Sequence, residues 1–128
     1  MDVTIDFTLN TTDGTSIRFF TNGTLVDYDN YKRLTFIEQT DALLDTVVDI
    51  YTNKVLITRT GKIYMKMEFD LTNDTTVVLK TENNFEVKML NKTESLLIED
   101  GFIEIIYQTE MDKEHGVHHQ LKLIYKPS

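Results

Sequence analysis

The sequence predicts an all-β domain, an antiparallel meander closed into a barrel of about eight to ten strands. Three observations predict it. Apolar and polar residues alternate through almost every segment, as in Val3, Ile5, Phe7 and Leu9 against Asp2, Thr4, Asp6 and Thr8. That is the period of a strand with one dry face and one wet face. Turn residues punctuate the alternation at short intervals. Finally, nothing reads as a long helix, and a curled sheet is the way for so many one-sided strands to bury their apolar faces.

The segments follow in order. Strands are expected near 2–10, 17–28, 31–39, 46–52, 54–60, 62–70, 75–81, 85–90, 94–99, 102–111 and 117–126. Between them stand Thr12-Asp13-Gly14, Asp29-Asn30, Thr52-Asn53, Thr60-Gly61, Asn73-Asp74, Asp100-Gly101 and the stretch Asp112 to Gly116. Short turns between successive strands specify antiparallel neighbours. Asp41 to Asp45, with Ala42, Leu43 and Leu44, is the one place for a helical turn or a lid.

Turn length sets which residues share a face. With Asp29-Asn30 as a two-residue turn, Tyr28 pairs with Tyr31, Leu25 with Leu34, Gly23 with Phe36 and Thr21 with Glu38. Leu34, Phe36 and Glu38 then point inward with Ile17 and Phe19. Glycine under the Phe36 ring permits a sharp bend there. In the last hairpin, Met111 is placed opposite Val117. Ile103, Ile105, Tyr107 and Thr109 then share the apolar face with His119, Leu121, Leu123 and Tyr125. Arg59 has two readings. A two-residue Thr60-Gly61 loop sets it opposite Lys62 on the wet face, an unfavourable like-charge pair. A three-residue loop sets it opposite Ile63 and inside, with Val55, Ile57, Met65 and Met67; this second reading is preferred. The expected core is Leu25, Leu34, Phe36, Met65, Met67, Phe69, Ile105, Leu121 and Leu123.

Composition bounds the function. The chain has 128 residues, 41% of them hydrophobic, which suits one domain over 1–128 with one core. A net charge of −8, with Lys and Arg scattered singly, argues against nucleic acid and anionic membranes as partners. The absence of Cys excludes disulfides and thiolate chemistry. The opening residues enter a strand at once, so no signal peptide is read and a cytoplasmic location is expected. Four Asn-x-Ser/Thr sequons, at Asn10, Asn22, Asn73 and Asn91, are read as chance matches. The protein is expected as a monomer or a homodimer, with no cofactor.

The order Tyr31…Phe36-x-Glu38, Arg59-x-Gly61, Met65-x-Met67-x-Phe69 and a long final hairpin resembles the YwiB-like proteins, small bacterial proteins of unknown function. The resemblance covers nearly the whole chain, and the Arg-x-Gly…Met-x-Met-x-Phe block is its most specific part. It implies a calycin-like (lipocalin-like) barrel of bacterial cytoplasmic origin and no established activity. One departure stands out. Where the family tends to have Tyr-x-Thr-Pro-aromatic-Gly, this chain reads Leu79-Lys80-Thr81-Glu82-Asn83-Asn84, keeping only Thr81.

Glu38, Arg59, Tyr107 and His119 form the candidate ligand-binding set. An inward charge needs a partner or water, so each such group predicts another nearby. The alternative is a structural ion pair closing one barrel end. His115, His118 and His119 crowd one hairpin, but adjacent strand residues face opposite ways and no metal site is expected. Met65, Met67, Met89 and Met111 on apolar faces read as gap filler before ligand lining. Serines sit in no nucleophile elbow, and no phosphate-cradling glycine loop exists. The leading reading is a barrel binding a small, largely apolar or amphiphilic molecule, with a carboxylate or other polar head held by Arg59. A packed interaction or structural module comes second. An enzyme using Glu38 and His119 in acid–base chemistry comes third. A cavity would separate the first from the second.

Overall fold

In the computed structural model, residues 1–111 and 116–128 are described. Ten strands run β1 (Asp2–Thr11), β2 (Ser16–Asp27), β3 (Lys32–Ile37), β4 (Asp45–Ile50), β5 (Lys54–Thr60), β6 (Tyr64–Asp70), β7 (Thr75–Lys80), β8 (Glu86–Glu99), β9 (Phe102–Glu110) and β10 (Gly116–Pro127). Each pairs antiparallel with its chain neighbours, and β1 closes on β10, giving the closed meander barrel the alternation predicts. Closure gives every strand a neighbour on both sides. No helix occurs among the described residues, and none is long and apolar enough to cross a membrane. The inward set buries as a continuous core that includes Leu34, Phe36, Met67, Phe69, Ile105, Leu121 and Leu123.

Register follows turn chemistry in most places. Asp29-Asn30 acts as the two-residue turn, with Tyr28 N–H donating to the Tyr31 carbonyl at 2.9 Å. Leu25 pairs with Leu34 and Gly23 with Phe36. Gly23 is required by closeness: a Cβ there would lie 2.5 Å from the Thr35 carbonyl oxygen and 2.6 Å from Ile5 Cδ1. At the β7–β8 turn, Asn84 adopts φ 60°. This is the position where the resembled pattern has glycine, and Asn is among the side chains that best tolerate left-handed backbone. The departure there is therefore accommodated locally.

Six expectations need correction. First, segments 85–90 and 94–99 are one strand, β8, carrying a bulge between Thr93 and Ser95. The extra residue, Glu94, flips the inward set from Met89, Asn91 and Thr93 to Leu96 and Ile98, and a flipped phase reads in sequence as a break. Second, Thr21 pairs with Ile5 rather than Glu38, because the β2–β3 ladder ends at Gly23 and Phe36. Glu38 leaves the ladder, and its N–H donates to the Leu44 carbonyl at 2.9 Å. Third, Arg59 lies opposite Met65 rather than Ile63, two residues along but on the inward face. Fourth, Val117 lies opposite Thr109 rather than Met111; this two-residue shift also preserves the faces.

Fifth, Asp41 to Asp45 forms a turn rather than a helical one. Leu43 sits at φ 46°, exposed, and Leu44 turns in and buries. Sixth, Leu25 and Met65 are only partly buried. Leu25 sits near the β2–β3 turn, and Met65 borders open space inside the barrel.

β6 and β7 pair only from Tyr64 to Lys66. Beyond that point β8 side chains replace the missing ladder. Asn91 Nδ2 donates to the Glu68 carbonyl at 2.9 Å, and Thr93 Oγ1 accepts from Asp70 N–H at 3.1 Å. Asn91 is fully buried, so its sequon is closed to glycosylation in the folded chain.

Candidate functional site

The barrel is solid at one end and hollow at the other. Val3, Ile5, Leu34, Val55, Phe69, Ile103 and Leu123 fill the end that holds the β2–β3, β4–β5 and β8–β9 turns. Toward the β1–β2 and β5–β6 turns a cavity of about 240 Å³ opens. Its walls are mostly apolar: Phe7, Leu9, Val48, Ile57, Met65, Met67, Val77, Met89 and Leu121. All four candidate residues, Glu38, Arg59, Tyr107 and His119, line it.

They form two groups. Arg59 grips Glu38 with two parallel bonds, Nε to Oε2 at 2.6 Å and Nη2 to Oε1 at 2.8 Å. Thr46 Oγ1 adds a third donor to Oε2 at 2.7 Å. The Glu38 side chain is 2% exposed and that of Arg59 is 20% exposed, with the guanidinium reaching the cavity. Bidentate Arg–carboxylate geometry is the strong form of this pair. Arg59 Nη1 has only the Met65 sulfur, at 3.6 Å, as partner among the described residues.

In the second group His119 stacks on Tyr107, ring centres 4.6 Å apart and planes at 20°. His119 Nδ1 is 3.0 Å from Thr11 Oγ1, and Nε2 is 2.8 Å from Thr109 Oγ1. Hydroxyls donate or accept, so they satisfy a neutral imidazole in either tautomer. Burial lowers the His119 pKa, with the Asp13 carboxylate opposing. Burial pushes the Tyr107 phenol up to about 12, so it stays a neutral donor. No hydrogen-bond partner for its hydroxyl occurs among the described residues.

These contacts place the two members of the acid–base pair that the sequence allows in separate networks. Three donors bond the Glu38 oxygens and two hydroxyls bond the His119 nitrogens, with no Glu38–His119 hydrogen bond among the described residues. His118 faces outward and meets Glu94 at 3.0 Å, and His115 lies outside the described residues. No three potential metal ligands converge among the described residues.

Sequence reasoning missed Thr46 as the third member of the buried pair. The signal was present: a two-residue Thr52-Asn53 turn sets Thr46 directly opposite Arg59. It also missed Thr11, which the inward phase of β1 places beside His119.

His119 makes stability depend on pH. Unfolded, it takes up a proton near 6.5; folded, its pKa is lower. Below about 6.5 the unfolded chain therefore binds more protons, and stability falls as pH falls through that region. The melting temperature should drop on going from neutral to mildly acidic buffer, and His119→Gln should flatten that drop. Equal slopes for both proteins would show that His119 titrates normally.

The protein with the solved structure "Crystal structure of ywiB protein from Bacillus subtilis" has the same fold. Its TM-score is 0.79 at 21% sequence identity, over 99% of this chain and 90% of that one. No curated protein matches the chain. A family model described as "Domain of unknown function (DUF1934)" matches residues 3–123. With that match spanning the barrel from its first strand into its last, the chain belongs to the DUF1934 family.

Proposed function

We propose that the barrel binds a small, largely apolar molecule in its hollow half, with the molecule's polar end against Arg59 and Tyr107. The observation that carries this reading is the cavity itself. A packed interaction module would fill both ends of the barrel, whereas this one stops packing at mid-height and lines the remaining space with apolar side chains. Pockets for drug-sized ligands span about 300–1,000 Å³, so 240 Å³ favours a smaller occupant. Met65, Met67 and Met89 supply adaptable lining. A bacterial cytoplasmic setting, implied by the likeness to YwiB, belongs to the same proposal.

The test is displacement of a neutral fluorescent probe, N-phenyl-1-naphthylamine, together with a cavity-filling variant. Wild-type protein should bind the probe and brighten it. Met89→Trp should abolish binding while keeping the melting temperature within a few degrees. Equal binding by both proteins would place the probe elsewhere and remove the support for a ligand cavity. Native mass spectrometry of protein purified from its own host would identify a retained molecule and show whether the protein is a monomer or a homodimer.

A further inference from the structure

We infer that Glu38 sets the charge selectivity of the cavity: by holding the Arg59 guanidinium in a fork, it makes the cavity a site for a neutral ligand with an acceptor oxygen, and its loss would turn the same cavity into a carboxylate site. This rests on the proposal that the cavity binds a small apolar molecule.

The argument is a charge count over the described residues that line the cavity. Glu38 and Arg59 cancel, their opposed charges 2.6 Å apart. Tyr107 is a neutral phenol and His119 a neutral imidazole (both for the reasons given above). Asp13, exposed at the mouth, leaves a single negative charge. An incoming carboxylate would thus lose water, find its one potential counter-ion already taken, and pass another carboxylate on entry. Burying such a charge without a partner is strongly unfavourable. A ligand cation fares no better at this end, since the Arg59 guanidinium already sits against both Glu38 oxygens and would repel it.

A neutral carbonyl or hydroxyl oxygen faces none of these costs. Arg59 Nη1 carries two N–H groups whose partner among the described residues is a thioether sulfur at 3.6 Å, a weak acceptor. The Tyr107 hydroxyl is a second donor lining the same space. Beside the Glu38–Arg59 pair the spare capacity is therefore mainly donor, on a part of the wall whose charges cancel. Glu38 need not touch the ligand; it acts through Arg59 as a specificity-determining residue. Thr46 adds a third bond to the same carboxylate and so helps to hold Glu38 in the fork.

The test uses the full chain, the same neutral probe, and 1-octanol against octanoate at mildly alkaline pH, where octanoate is ionised. For wild type, octanol should displace the probe at a concentration at least about tenfold below octanoate. In Glu38→Gln the guanidinium is released, and octanoate should gain about tenfold or more relative to octanol. Adding Arg59→Met to that variant should cancel the gain, which a merely structural role for Glu38 would not produce. An unchanged octanol-to-octanoate ratio in Glu38→Gln overturns the inference and leaves the cavity reading standing. Wild type binding octanoate as tightly as octanol overturns it without any variant, so it stays testable even if Glu38→Gln does not fold. Failure of both compounds to displace the probe from wild type overturns the cavity reading and this inference with it.

Discussion

Arg59→Met should cost about 3 kcal/mol of folding stability, read as a shift in the denaturant midpoint. Methionine keeps the apolar stem in place and removes the charge. What remains is a 2%-exposed Glu38 whose two strongest donors are gone, with Thr46 alone still bonded to it. Removing one member of a buried pair costs about 3–5 kcal/mol, and the low end applies because Arg59 is partly open to the cavity. Glu38→Leu in the same molecule should recover most of the loss, since an apolar pair of similar shape carries no unpaired charge. Arg18→Met is the control. Arg18 and Asp6 form an ion pair with 61% and 24% side-chain exposure, and exposed pairs contribute about 0–1 kcal/mol. Arg59→Met falling in that same range would mean that cavity water solvates Glu38 and that the fork is incidental to folding.

Phe36→Ala should cost about 3–5 kcal/mol. Phe36 is 6% exposed and sits in a cluster of three rings, with centroids 6.4 Å from Phe7 and 6.1 Å from Phe19. Phe7 and Phe19 stack at 4.9 Å. The Gly23 backbone passes under Phe36 and is held by Thr35 and Ile5, so the wall has little freedom to collapse into the space a deleted ring would leave. That favours the upper part of the range, since the penalty grows with residual cavity volume. Urea unfolding measures it, with an unchanged m-value showing that the denatured state is unaffected. A loss below about 1 kcal/mol would show that the cluster relaxes around the deletion.

Arg59 shows how much of the site was legible. Its inward direction followed from a parity argument alone: any loop length that avoids Lys62 and keeps Val55, Ile57, Met65 and Met67 on one face gives the same answer. The partner, Met65 in place of Ile63, did not follow, because shifting a hairpin by two residues leaves every face unchanged. The last hairpin shows the same degeneracy, with Val117 on Thr109 and the inward set intact. The β8 bulge is the complementary case. One extra residue changes the phase, and without the partner strand it is indistinguishable from a turn.

The sequence by itself determined the class of fold, the direction of the buried face in most strands and the presence of polar groups among the apolar ones. Period-2 alternation and turn chemistry are local properties, and locality makes them readable. Only the tertiary structure decided where the barrel stops packing, which donors meet Glu38, and that His119 shares its ring with two threonines and a tyrosine. Those outcomes depend on the curl of a closed sheet, which brings the loop after β3 against β4 and β5 and sets β1 beside β10. Closure joins residues more than 100 positions apart, such as Thr11 and His119, and no pattern along a single strand encodes that distance.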